Sequence, residues 1–263
     1  MDVNKLFRSW ADERIDPSNK LQWLEVVAKD DVIDRLYGGR CPIAAEKPLK
    51  RADVPRASHP FMMQAADLDE VFRMMDRAPR SFLEIGTFHG DTAILIAKNY
   101  RIPVTCIDTW LGDLGMWTNP DPKSFLNQGK SIPPAQGFYR KFCGNVAKNS
   151  MESYVTPVRL PSAMAIRLLK MKRLKFDAVY IDGSHDYMDV YMDIMMSSSI
   201  LSPDGLIFGD DYHIPSVAEA VDDFCKETNS EVTLLPKTVF NKSRDRNVKR
   251  TYWVLTSPTF PDF

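Results

Sequence analysis

The chain has 263 residues, of which 44% are apolar, and a formal net charge of −1, so it can bury a sizeable core in one large domain or in one domain with an added arm. The balanced charge argues against a nucleic-acid-binding or membrane-surface protein, and no stretch approaches the ~20 apolar residues of a membrane span. Cys41, Cys106, Cys143 and Cys225 lack C-x-x-C spacing and fall mostly inside apolar segments, so buried free thiols in a reducing, cytoplasmic setting are expected.

Residues 1–60 read as a helical arm and connector, separate from a domain over 61–263. Val3, Leu6, Phe7 and Trp10 follow the spacing of a short amphipathic helix. Asp16-Pro17 interrupts it, Ser18 caps a second helix to about Tyr37, and Gly38-Gly39 ends that one. The connector then mixes Pro42, Pro48, Pro55 and Pro60 with basic residues. Such an arm serves either to cross an active-site rim, to join a homo-oligomer, or as a loose tether.

A third helix is expected over Met62–Met75, followed by a strand at Arg80–Ile85 that runs into Glu84-Ile-Gly86-Thr87-Phe-His-Gly90 and a helix over Thr92–Lys98. Strand, glycine turn and helix in that order open a nucleotide-binding βαβ unit. Pro103–Ile107 is the second strand and ends at Asp108, where a ribose-binding carboxylate stands in such units. The segment 109–135, with Trp110, Trp117 and Phe125, is long enough to suggest a lid over the site.

A helix over Gln136–Asn149 with Phe138, Phe142 and Val146 on one face leads to a third strand, Tyr154–Leu160, and a helix from Pro161-Ser162-Ala163 to about Lys172. Ala178–Ile181 and Leu206–Phe208 are continuous apolar runs, suited to strands buried on both faces of a parallel sheet. Each ends in carboxylates, Asp182 and Asp210-Asp211, and His185 follows the first. A helix over Tyr187–Leu201 separates them, with Asp189 and Asp193 expected on its solvated face. Ser216–Lys226 is the last helix. Glu231–Leu235 and Thr251–Leu255 pair as a hairpin around Asn241–Arg250, whose basic residues read as a solvated loop. The expected fold is α/β, a doubly wound, mostly parallel seven-stranded sheet with the N-terminal helical arm.

Ligands of open α/β sheets bind beyond the carboxyl ends of the strands, so Asp182, His185, Asp210 and Asp211 should converge there. Phe88 stands where a dinucleotide fingerprint has its second glycine, the one that admits a pyrophosphate. A nucleoside cofactor without pyrophosphate is therefore favoured over hydride-transfer chemistry, although the glycine pair alone also fits a plain strand–helix junction.

Leu83-Glu-Ile-Gly-Thr-Phe-His-Gly90, Cys106-Ile-Asp-Thr-Trp-Leu-Gly-Asp113, Tyr180-Ile-Asp-Gly-Ser-His185 and Leu201-Ser-Pro-Asp-Gly-Leu-Ile-Phe-Gly-Asp-Asp211 together resemble class I S-adenosylmethionine-dependent methyltransferases. Within them they are most similar to the cation-dependent, macrocin-type sugar O-methyltransferases. The resemblance spans roughly Arg80 to Leu255 and implies the Rossmann-like methyltransferase fold. It implies that Glu84, Gly86, Thr87 and Gly90 turn around the methionine portion of S-adenosylmethionine. Asp108 would hold the ribose hydroxyls, Ser162 and Ala163 would lie by the adenine, and Asp182 would border both cofactor and metal. Asp182, Asp210 and Asp211 match the ligands of a divalent cation, Mg²⁺ or Mn²⁺, and His185 matches the general base. A side chain in place of Gly86 is expected to intrude on the cofactor.

The chemistry agrees. A hydroxyl is a poor nucleophile toward a sulfonium until its proton is being removed. A hard cation on carboxylates lowers a bound hydroxyl's pKa, and a neutral imidazole takes the proton. The implied reaction is methylation of a hydroxyl on a sugar, glycosylated or polyhydroxy metabolite, with a small-molecule or glycan acceptor. Two rivals stand beside it: a metal-independent methyltransferase and a catalytically silent cofactor-binding scaffold.

Overall fold

The computed structural model describes residues 63–112, 134–241 and 246–256. The expected arm over 1–60 and most of the segment 109–135, including Trp117 and Phe125, lie outside the described residues. No helix among the described residues is long and apolar enough to cross a membrane.

Helix α1 (Ala65–Phe72) precedes β1 (Phe82–Ile85), α2 (Asp91–Tyr100), β2 (Val104–Ile107), α3 (Pro134–Lys148), β3 (Val155–Val158) and α4 (Ser162–Met171). Then come β4 (Phe176–Ile181), α5 (Tyr187–Ser198), β5 (Leu201–Gly209), α6 (Pro215–Thr228), β6 (Glu231–Asn241) and β7 (Arg246–Thr256). The seven strands form one sheet in the order β3-β2-β1-β4-β5-β7-β6. β1 through β5 pair in parallel, and β7 runs antiparallel to both of its neighbours. The chain winds outward from β1 through β2 to β3, then returns to place β4 on the other side of β1. That reversal leaves a crevice beyond the ends of β1 and β4, where open sheets bind ligands.

Every residue of β1 to β4 is buried, as expected of parallel strands covered on both faces, and Glu84, Thr105, Thr156 and Asp177 are the polar residues buried with them. Alternate side chains feed two layers. Phe82, Cys106, Tyr180 and Phe208 pack with Leu68, Ile96 and Phe142 of α1 to α3. Leu83, Ile107, Val179 and Ile207 pack with Leu169, Ile194 and Phe224 of α4 to α6. Burying each such side chain contributes roughly 1.5–3 kcal/mol. Pro215 at the first turn of α6 and Asn229 in the left-handed conformation after its end explain those boundaries.

The structure revises four sequence expectations. Leu201 belongs to β5 and not to the preceding helix, because it pairs with Phe176. Asp193 is buried, only 5% exposed, whereas Asp189 is exposed as expected; α5 is flanked by α4 and α6, and Ser162 at the start of α4 hydrogen-bonds Asp193. Trp110 is a core residue and not part of a lid. Its indole Nε1–H donates to the Phe88 carbonyl at 2.7 Å, and its ring packs on Tyr139 and Phe142. The hairpin is longer than expected, running in register from Glu231↔Thr256 to Asn241↔Arg246, so Arg250 lies within β7. Cys106, Cys143 and Cys225 are free and buried, as expected; Cys41 lies outside the described residues.

Candidate active site

The site is built from strand ends held in step by backbone hydrogen bonds. Gly86 N–H donates to Ile107 O, Asp182 N–H to Ile85 O, and Asp210 N–H to Ile181 O. Residues just past β1, β4 and β5 are thereby drawn side by side. Gly86 (φ 88) makes this approach feasible for a reason other than cofactor access. A Cβ there would lie 2.5 Å from Gly183 Cα and closer still to the Asp182 carbonyl. The glycine thus serves the β1–β4 junction. Gly90 (φ 80) starts α2, and a Cβ on it would meet the Phe142 ring at 2.7 Å. Phe88, in the fingerprint's glycine position, is itself left-handed at φ 46, and its ring stacks on His89.

Among the candidate cofactor residues, Glu84, Thr87 and Asp108 come together at the ends of β1 and β2. Glu84 is 2% exposed, and its Oε2 makes no hydrogen bond of good geometry among the described residues, with the Thr87 and Thr92 hydroxyls beside the carboxyl. Burial pushes the Glu84 carboxyl well above the usual carboxylate range. A buried acid with an unanswered oxygen fits a cationic ligand such as the ammonium of a methionine moiety. Asp108 accepts from Phe88 N–H at 2.7 Å through one oxygen and from Trp110 N–H at 2.6 Å through the other. It ties the β1–α2 turn to the β2 end, and burial raises its pKa against the pull of those bonds. Ser162 and Ala163 open α4, where Ser162 is bonded to Asp193 and Ala163 is exposed.

The second group lies past β4 and β5. Asp182, Asp210 and Asp211 each offer a carboxylate oxygen within 4.8 Å of the others. With His185, Ser184 and Trp253 they line one cleft. Trp253 of β7 donates its Nε1–H to Asp210 O at 3.0 Å and passes across Gly209, where any Cβ would collide with the indole. Asp211 adopts φ 61, an unfavourable conformation of the kind that collects at functional sites. Its N–H donates to Asp210 Oδ1 at 2.6 Å. Asp211 Oδ2 lies 2.8 Å from His185 Nε2, and His213 Nε2 is 3.7 Å from the other oxygen. His213 therefore borders the cluster.

Burial drives the Asp182 carboxyl far upward, and repulsion from Asp210, Asp211 and Glu84 adds to it. Asp211 moves the other way: burial works against it, but the His185 hydrogen bond and the charges of Arg250, His185 and His213 hold it below its ordinary value. Three crowded carboxylates require protons or a cation. Their hard, all-oxygen donor set fits a divalent ion such as Mg²⁺ or Mn²⁺. Sequence reasoning missed one member of the cluster. Arg250 Nη1 lies 2.9 Å from Asp210 Oδ2 and 3.1 Å from Asp211 Oδ1. Its only sequence signal is a basic run that reads equally well as a solvated loop.

An open, mostly parallel seven-stranded sheet of this order, flanked by helices on both faces, is the Rossmann-like methyltransferase fold. Residues 83–212 match the family model of a methyltransferase domain. Three solved structures share the fold. A Geobacter metallireducens precorrin-6y C5,15-methyltransferase is 14% identical, with a TM-score of 0.51 over 82% of this chain and 98% of that one. A Bacillus cereus O-methyltransferase in complex with S-adenosylhomocysteine is 14% identical, with a TM-score of 0.50 over 90% and 99%. The Streptomyces achromogenes O-methyltransferase of tomaymycin synthesis, in complex with S-adenosylmethionine, is 13% identical, also with a TM-score of 0.50 over 90% and 99%. At such identities the likeness is one of fold. The chain matches no curated protein sequence.

Proposed function

We propose that this protein transfers a methyl group from S-adenosylmethionine to a hydroxyl of a sugar, glycosylated or polyhydroxy metabolite, with the help of a divalent cation. The observation that carries this reading is the meeting of Asp182, Asp210 and Asp211 within 4.8 Å, beside His185. In it, Glu84, Gly86, Thr87, Gly90 and Asp108 receive the methionine and ribose portions of the cofactor, and Ser162 and Ala163 flank the adenine. The cofactors named for the Bacillus cereus and Streptomyces achromogenes structures support S-adenosylmethionine as the donor.

Asp182, Asp210 and Asp211 would hold Mg²⁺ or Mn²⁺, which supplies Lewis acidity that lowers the pKa of an acceptor hydroxyl. With Asp211 ionised, His185 Nε2–H donates to Asp211 Oδ2, so the basic nitrogen is Nδ1. The acceptor's hydroxyl proton would pass to Nδ1 as its oxygen takes up the methyl group, which S-adenosylmethionine would supply from its sulfonium, departing as a neutral thioether. Asp211 fixes the ring and stabilises the resulting imidazolium. A metal-independent reaction is the second reading, favoured by the Arg250 guanidinium already placed against Asp210 and Asp211.

The test incubates the protein with S-adenosylmethionine, Mg²⁺ and a metabolite or glycan extract, and follows by mass spectrometry any species that gains a methyl group. Metal-dependent turnover is abolished by excess chelator and restored by added Mg²⁺ or Mn²⁺. Full activity in chelator would overturn the metal assignment. Methyl transfer to carbon or nitrogen alone would overturn the hydroxyl acceptor.

A further inference from the structure

The proposed reaction makes no use of Arg250, yet this residue is built into the site. It stands opposite Lys237 in the β6–β7 ladder and reaches beyond the strand ends to the carboxylates. Its side chain is 19% exposed, against 3% for Asp210 and 10% for Asp211. Ion pairs so far removed from water persist because either partner alone would be an uncompensated charge.

The choice of oxygens is informative. Asp210 Oδ1 is engaged by Asp211 N–H, and Asp211 Oδ2 is engaged by His185. The other two, Asp210 Oδ2 and Asp211 Oδ1, are those held by Arg250. A guanidinium bonded to both cannot share them at close range with a divalent ion, because like charges a few ångströms apart in a poorly solvated site repel strongly.

We propose that Arg250 is a resident counter-ion that competes with the divalent cation for Asp210 and Asp211. It keeps the carboxylate cluster assembled in the absence of metal and is displaced when metal binds. This inference rests on the cation-dependent reading above. It has two consequences: metal binds more weakly than three bare carboxylates would hold it, and the metal-free protein stays folded. Arg250 is a positioning residue here, acting through Asp210 and Asp211 and not on the acceptor.

The test is calorimetric titration of the wild type and of Arg250→Gln with Mn²⁺, alongside thermal melts with Mn²⁺ and with chelator. Arg250→Gln binds Mn²⁺ tighter by about tenfold or more, the direction expected when a cation is removed from beside the ion. Its melting midpoint falls below wild type in chelator and recovers in Mn²⁺, whereas the wild-type midpoint rises by less between the two because its Mn²⁺ affinity is lower. If Arg250→Gln is soluble only when prepared with Mn²⁺, that result also supports the exchange of one cation for the other. Failure to fold even in saturating Mn²⁺ overturns it, because the ion then does not replace the guanidinium. Unchanged or weaker Mn²⁺ affinity in Arg250→Gln overturns the competition while leaving the metal reading intact. No Mn²⁺ binding by either protein overturns both.

Discussion

Gly86→Ala tests whether the first glycine of the loop serves the fold or the ligand. At φ 88 an L-residue costs roughly 1–2 kcal/mol relative to glycine, of which ~0.4–1 kcal/mol returns through a less flexible unfolded chain. The larger cost is collision. The new Cβ would stand 2.5 Å from Gly183 Cα and nearer to the Asp182 carbonyl, and both are backbone atoms that cannot rotate away. Overpacking of this kind costs about 1–3 kcal/mol, so the total is ~1–5 kcal/mol, against a typical domain stability of about 5–15 kcal/mol. The thermal midpoint should fall by roughly 2–20 °C at ~2–4 °C per kcal/mol. Gly183→Ala is the matched control one step along the adjoining turn. Its Cβ would meet nothing closer than Ile85 Cγ2 at 3.6 Å, an ordinary contact, and its midpoint should stay near wild type. Melting both variants by circular dichroism without ligand decides the matter. Equal midpoints, or a Gly86→Ala protein as stable as wild type that fails only to bind S-adenosylmethionine, would refute the steric account.

Further outcomes follow from other parts of the site. Burial raises the Asp193 carboxyl to about 7, against an ordinary value near ~3.9. The native state thus keeps a proton that the unfolded chain has already released, and Asp193 lowers stability as pH rises from about 4 to 7, by up to roughly 4 kcal/mol. Asp193→Asn should flatten that decline in urea titrations at pH 5 and pH 8; parallel curves would show that the group does not titrate there. Asp108→Ala should weaken S-adenosylmethionine binding by ~1.5–3 kcal/mol and lower the melting midpoint as well, because Phe88 and Trp110 N–H lose their acceptor. Unchanged calorimetric affinity would remove Asp108 from the cofactor site. His185→Ala should lose ~10²–10⁴-fold in turnover while still binding Mn²⁺, and a near-normal rate would assign activation of the hydroxyl elsewhere.

The strand framework was legible in the sequence because parallel strands buried on both faces read as near-continuous apolar runs. Ala178–Ile181 and Leu206–Phe208 obey that rule, whereas β1, β2 and β4 each also bury one polar residue, Glu84, Thr105 and Asp177; the carboxylates that end the apolar runs gather at one rim. Asp182, His185, Asp210 and Asp211 were therefore placed together by local pattern alone. What the sequence could not supply was which neighbour lies against each side chain. Asp193 follows the same helical spacing as Asp189, but packing around α5 buries one and leaves the other in water. Trp110 reads as the start of a long loop until Phe88, Tyr139 and Phe142, distant in the chain, close around it. Gly86 is required by the backbone of a strand almost a hundred residues later. Arg250 sits in a basic run like many solvated loops, and only the β6–β7 register carries its guanidinium to Asp210 and Asp211. Periodicity is a property of neighbours along the chain, whereas burial and charge pairing depend on contacts between remote segments, which only the tertiary structure decides.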